Sequence, residues 1–147
     1  RRIEGGMLSY HADMDAQTNP FELGLDRLVD LEMPADFIGK AALQRVQQQG
    51  IARQQVGFEI DGEPLSSPNT QFWPIELNGT VIGKVTSAVY SPRLTKNIAL
   101  AMVASAHSAV GATCDVQLPA EMRSGTIVPK PFYDPKKQIT AGETTAA

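Results

Sequence analysis

Trp73-Pro-Ile-Glu-Leu77, then Asn78-Gly79, then Thr80-Val-Ile-Gly-Lys-Val-Thr-Ser87 is the stretch that decides the fold. Two runs rich in β-branched and aromatic residues flank an Asn-Gly pair. Asn and Gly tolerate the positive φ that a type I′ turn demands, and the twist of that turn suits paired strands. The stretch therefore reads as a β-hairpin. Working outward, Gln55-Val-Gly-Phe-Glu-Ile60 alternates and stops at Asp61-Gly62, a turn pair. Asn97 to Val103 reads as a buried strand, although an apolar run of that length also suits a helix. Ala112 to Leu118 and Arg123 to Val128 make two more strands, and Pro131-Phe132-Tyr133 closes the series. Short antiparallel strands at this spacing predict a small barrel or sandwich over residues 51–133.

The first part of the chain has a different texture. Residues 1–35 lack a helical or strand period. Leu23, Leu25, Leu28, Val29 and Leu31 predict a buried strand or a short turn there. Asp36 is placed to cap a helix near 36–49, whose Phe37, Leu43 and Val46 share one face. Gly50 sits where a C-terminal glycine stop belongs. Residues 134–147 lose apolar content and read as a mobile tail. The chain opens at Arg1, and its first ten residues read as the interior of a folded enzyme. We therefore expect residues 1–50 to be the remnant of a larger domain, with the chain as the C-terminal part of a whole.

Composition narrows the function classes. At 147 residues the chain holds one domain, or one small domain and a remnant of another. Apolar residues at 42% and charged residues at 20% are ordinary for a soluble globular chain. A net charge of −3 argues against nucleic acid as a partner, because phosphate binding needs a concentrated basic face. The longest apolar run, Ile98 to Ala104, is far too short to span a bilayer, so no membrane partner is expected. The lone cysteine, Cys114, cannot form an internal disulfide and points to the reducing cytoplasm.

The inventory of reactive groups is thin. His11 and His107 stand far apart and lack the three or four ligands that a metal site needs. Cys114 lies in a strand and reads as a small hydrophobe. Asp13, Asp15, Glu22 and Asp26 fall in loops, where carboxylates cap turns or face water. Arg93 reads as solvated. Arg1 and Arg2 are more suggestive. Arg2 stands near Gly5 and Gly6, where backbone can approach a ligand closely, and its guanidinium can hold a carboxylate two-pronged. An ordinary salt bridge is the competing role.

Taken in order, several segments are familiar. They are Arg2-Ile3-Glu4-Gly5-Gly6-Met7-Leu8-Ser9-Tyr10, Asp13-Met14-Asp15, Asn19-Pro20-Phe21-Glu22-Leu23-Gly24-Leu25 and Asp36-Phe37-Ile38-Gly39-Lys40-Ala41-Ala42-Leu43. Gly83-Lys84-Val85-Thr86-Ser87, Tyr90-Ser91-Pro92, Lys96 to Val103 and Lys130-Pro131-Phe132-Tyr133 follow. Residues 2–133 together resemble the aminomethyltransferase family, the glycine-cleavage T-protein superfamily of tetrahydrofolate-dependent one-carbon transferases. Phe72-Trp73-Pro74-Ile75 and Val85 to Leu94 look closer to its dimethylsulfoniopropionate demethylase branch. Ala88 and His11 stand where the T-protein proper commonly has glycine.

The resemblance implies a mainly β fold with some α: an antiparallel Greek-key β-barrel of six or so strands, preceded by a remnant of the folate-binding domain with one helix. It implies tetrahydrofolate as cofactor and a cytoplasmic parent enzyme. It also implies a small-molecule methyl donor, such as a sulfonium, whose methyl passes to N5 of tetrahydrofolate. The alternative is the aminomethyl transfer of glycine cleavage, working with a lipoyl carrier protein. A further alternative is a non-catalytic folate-binding or β-barrel interaction module. Arg2 maps onto the family's folate-binding arginine, Tyr10 onto the channel wall, and Tyr133 lies beside the segment that approaches the site in some members. No catalytic residue is expected within this fragment, which should be inactive alone. Apolar surface on residues 1–50 should meet the missing N-terminal region or drive self-association into a homo-oligomer.

Overall fold

A computed structural model describes residues 1–136 and 138. Six strands dominate it: β1 Arg53–Ile60, β2 Trp73–Leu77, β3 Thr80–Ser91, β4 Lys96–Ala104, β5 Thr113–Gln117 and β6 Met122–Val128. They close into an antiparallel barrel in the order β1-β4-β3-β2-β5-β6. The hairpin-linked strands β2, β3 and β4 with β1 returning beside β4 form a Greek key. The barrel expectation holds, and the sandwich alternative falls away.

The deciding hairpin forms as its turn chemistry demands. Asn78 and Gly79 have φ of 52° and 76°, and Leu77 pairs with Thr80 across them. Inside the barrel, Phe58, Ile75, Val85, Val103, Val116 and Ile127 are fully or almost fully buried. Gly125 makes room for Phe58: a Cβ there would lie 2.5 Å from the Phe58 ring.

Strand β4 explains the ambiguous apolar run. Its inward face meets the barrel core. On the outside, Ile98 and Leu100 are covered by Ile3, with Leu8, Val89, Leu94 and Phe132 around them. Burial on both faces produces a continuous apolar strand, which periodicity alone cannot tell from a helix. Residues 3–23 thus lie against the outside of the barrel. Further stitches hold them: Arg53 Nε donates to Glu22 at 2.9 Å, and the Gln55 amide donates to the Glu22 carbonyl at 2.7 Å. The amides of Phe132 and Tyr133 donate to the Glu4 carbonyl at 2.9 and 3.1 Å.

One local expectation is corrected and one open choice is resolved. The helix, α1, spans Lys40–Gln49, and the residue before it is Gly39 in a left-handed conformation, not Asp36. Asp36 spends its carboxylate on the neighbouring Phe37 amide at 2.9 Å, so it never reaches the helix. The glycine stop at Gly50 forms, with φ of 79° and its amide bonded to the Val46 carbonyl. Between Leu23 and Leu31 the chain makes a 3-10 turn, Asp26–Leu28, so the short-turn alternative holds and the strand falls away. Leu23 and Leu31 are buried, while Leu28 faces out. The expected tail over 134–147 falls largely outside the described residues. Among those described, no helix is long and apolar enough to cross a membrane.

Candidate functional site

The site grows from an irregularity in β3. Val85 pairs with Ala101 and Ser87 pairs with Leu100, so Thr86 is an extra residue in the ladder. Successive strand residues normally point to opposite faces. A bulge breaks that alternation and re-aims side chains. Here it brings two neighbouring hydroxyls to one acceptor: Thr86 Oγ1 and Ser87 Oγ lie 2.6 and 2.7 Å from Oδ1 of Asp13.

Asp13 belongs to the segment lying on the barrel, and its side chain is completely buried. Its second oxygen, Oδ2, accepts from the Ser9 amide at 2.9 Å and from Arg2 Nη1 at 2.7 Å. Four donors thus converge on one carboxylate, which matches its acceptor capacity. The same residue's carbonyl takes a bond from Gln55 Nε2 at 3.3 Å. Gln55 Oε1 in turn accepts from Lys130 Nζ at 2.9 Å, and that amine also reaches the Leu23 carbonyl. Burial brings the Lys130 ammonium down to about 8, partly offset by the nearby Asp13 charge.

Arg2 is held at three points. Nη1 donates to the Met7 carbonyl at 2.9 Å and to Asp13, and Nη2 donates to Ser87 Oγ at 2.9 Å. A guanidinium has five N–H donors in a planar fork. Nε–H and one hydrogen on Nη2 therefore remain without a partner among the described residues. The side chain keeps 39% of its surface open to solvent. Arg2 thus makes the salt bridge weighed for it in the sequence and keeps one edge of the guanidinium open among the described residues.

The other two candidate residues lie on the same segment or against it. Tyr10 follows Ser9, is more than half exposed, and packs edge-on against the His11 ring. Tyr133 is half-buried. It is tied through its amide to Glu4 and lies under the Arg93 guanidinium, whose carbon stands 4.4 Å from the ring centre. Glu4 accepts a bond from Ser91 Oγ. That bond and the Arg93 charge hold its carboxyl below the usual range. A separate groove of about 440 Å³ on the outside of β2, β3 and β4, lined by Phe72, Val81 and Met102 among others, includes none of Arg2, Tyr10 and Tyr133.

Sequence reasoning missed Asp13, Thr86 and Ser87 as members of the site. Asp13 and Glu22 were expected to cap turns or face water; each does accept a loop amide, from Ser9 and Asn19, but neither faces water. Asp13 is buried because its partners come from a strand more than seventy residues away. In the structure the bulge shows as Val85 and Ala88 both entering the barrel core although three residues apart, which no regular strand allows.

Comparison with known proteins is consistent with this geometry. Residues 53–134 match the family model described as the glycine cleavage T-protein C-terminal barrel domain. An aminomethyltransferase of Synechococcus sp. (strain CC9902) is 41% identical over 132 residues, which cover 90% of this chain and 35% of that protein. One from Thermosynechococcus vestitus is 42% identical over 132 residues. The crystal structure of the glycine cleavage system aminomethyltransferase T from Bartonella henselae superposes with a TM-score of 0.81 at 25% identity, over 90% of this chain and 37% of that one. The chain therefore spans about a third of the length of the curated relatives it matches. With more than half of its residues matched by that model, the chain belongs to the glycine cleavage T-protein family, whose C-terminal barrel it carries.

Proposed function

We propose that this chain contributes the barrel and one wall of the folate site to a tetrahydrofolate-dependent aminomethyltransferase. The observation that carries it is the half-satisfied guanidinium of Arg2, fixed on one edge and open on the other. Folate ends in a glutamate, and two parallel N–H groups suit a carboxylate. The cofactor supplies the nitrogen that accepts the one-carbon unit. The residues of this chain bind and orient it: Arg2 takes the anionic tail, and Tyr10 and Tyr133 offer ring surface beside it. With no nucleophile to provide, the protein's contribution is alignment and exclusion of water.

The relatives named above are aminomethyltransferases, which favours an aminomethyl donor on a lipoyl carrier over a methyl sulfonium. The demethylase reading rests on Phe72-Trp73-Pro74-Ile75 and Val85 to Leu94 and is second. Partners in the intact protein are then folate, the donor and the rest of the polypeptide, in the cytoplasm. The test is an assay of the protein expressed from its complete coding sequence, with tetrahydrofolate and each donor in turn. Methylenetetrahydrofolate formed from the aminomethyl-lipoyl carrier is the expected product. Methyltetrahydrofolate formed from dimethylsulfoniopropionate instead would transfer the assignment to the demethylase branch. Folate binding without turnover of either donor would favour a non-catalytic module.

A further inference from the structure

We propose that Asp13, braced by Thr86 and Ser87 on the β3 bulge, is the positioning residue for anion capture by Arg2. This rests on the folate reading and adds a role that the reading does not require. An arginine on a surface segment samples many rotamers, and ordering it on ligand binding costs affinity. Here the cost is met in advance. The guanidinium is gripped from the Met7 carbonyl, from Asp13 Oδ2 and from Ser87 Oγ, at 2.7 to 2.9 Å. Those three contacts fix the plane of the group and leave the Nε and Nη2 hydrogens on offer.

Ser87 is the hinge of the arrangement. Its hydroxyl accepts from Arg2 Nη2 and donates its own proton to Asp13 Oδ1. The buried carboxylate therefore sets the direction of the serine lone pair that the arginine meets. Thr86 Oγ1 gives its one proton to the same carboxylate oxygen, 2.6 Å away, and so braces it from the bulge. A plain strand could not present both hydroxyls to one oxygen, so the extra residue in β3 has a specific use. The bulge, the buried acid and the arginine form one device, which aims a carboxylate-binding fork from a rigid barrel wall.

Two variants test this in the protein expressed from its complete coding sequence: Asp13→Asn, which keeps shape but turns an amide toward Arg2, and Ser87→Ala, a smaller loss. The probes are 5-formyltetrahydrofolate and 5-formyltetrahydropteroate, the second lacking the glutamate, with calorimetric affinities for each. Wild type should prefer the glutamate-bearing probe by about tenfold or more, the worth of one good charge-assisted contact. Asp13→Asn should bring that ratio close to one, and Ser87→Ala should lower it severalfold, with pteroate affinity nearly unchanged. A merely structural role would weaken both probes alike and leave the ratio intact. Retention of the wild-type ratio in both variants overturns the positioning role while leaving the folate reading in place. Failure of wild type to bind either probe overturns the folate reading, and this inference with it.

Discussion

The guanidinium of Arg2 stands 2.7 Å from the carboxylate of Asp13, which is in turn bonded by two hydroxyls from β3. The pair is half open: the Arg2 side chain is 39% exposed and that of Asp13 is completely buried. This asymmetry makes Asp13 the more costly partner to lose. Asp13→Ala strands Thr86, Ser87, the Ser9 amide and Arg2 without their shared acceptor. Breaking a buried charge pair in this way typically costs about 3–5 kcal/mol. Arg2→Met should cost less, about 1–2 kcal/mol, because water can reach the vacated edge. Urea denaturation of both variants measures the difference. Equal losses would mean that the carboxylate is not the organising centre described here.

How far this was legible in the sequence follows from the range of the interactions. The hairpin at Asn78-Gly79 is encoded by its own turn residues, and each remaining strand by a local apolar pattern or a turn that ends it. Five of the strands were readable for that reason, while β4, apolar on both faces, stayed open to a helix. The helix was readable in its body and at Gly50, but not at its start. Gly39 adopts a left-handed conformation that no neighbouring residue announces. Within the Arg2–Asp13 cluster only Arg2 was singled out in the sequence, by its neighbouring glycines and the family resemblance. Asp13 looks like any loop carboxylate until β3 is folded against it, and the bulge that delivers Thr86 and Ser87 is an exception to strand periodicity. Contacts spanning seventy residues leave no local trace.

Gly125 and Gly79 separate two reasons for a glycine. At Gly125 the obstacle is space: an added Cβ would lie 2.5 Å from Phe58 Cζ and 2.6 Å from the Glu59 carbonyl oxygen. Phe58 is fully buried, so it has nowhere to go. Gly125→Ala should cost about 3 kcal/mol, the upper part of the usual range for overpacking. At Gly79 nothing lies within 4 Å, and the obstacle is a φ of +76°. Gly79→Ala should therefore cost about 1 kcal/mol. Thermal melts of the two variants should differ by several degrees, and the prediction fails if Gly79→Ala is the worse.

Helix α1 should be the least protected regular element. It is ten residues long and contains no buried residue. A helix that short is marginal in water without tertiary support. No side chain caps its start. Strand β4, by contrast, is buried from Asn97 to Val103. Hydrogen exchange followed by mass spectrometry should show α1 amides exchanging at least ~100-fold faster than those of β4, since local opening costs far less than global unfolding. Comparable protection in the two elements would mean that α1 is held by a packed surface.

Lys130 and Cys114 pull stability in opposite directions at alkaline pH. Burial lowers the Lys130 ammonium from 10.5 to about 8. Between those values the unfolded chain holds a proton that the folded chain has released, so stability rises with pH. Burial raises the Cys114 thiol from 9.0 to about 11. Between those values the folded chain keeps a proton that the unfolded chain has lost, so stability falls with pH. Each slope is at most about 1.4 kcal/mol per pH unit, and water at the half-buried Lys130 amine trims the first. The wild type should therefore gain stability from pH 8 to 9 and level off or fall beyond it. Cys114→Ala removes the opposing limb, and its stability should keep rising toward pH 10.5. Lys130→Met removes the rising limb and should leave only the decline above pH 9. Urea melts at pH 8, 9 and 10 distinguish the three curves, and a wild-type profile that falls from pH 8 onward and is unchanged by Cys114→Ala would contradict both assignments.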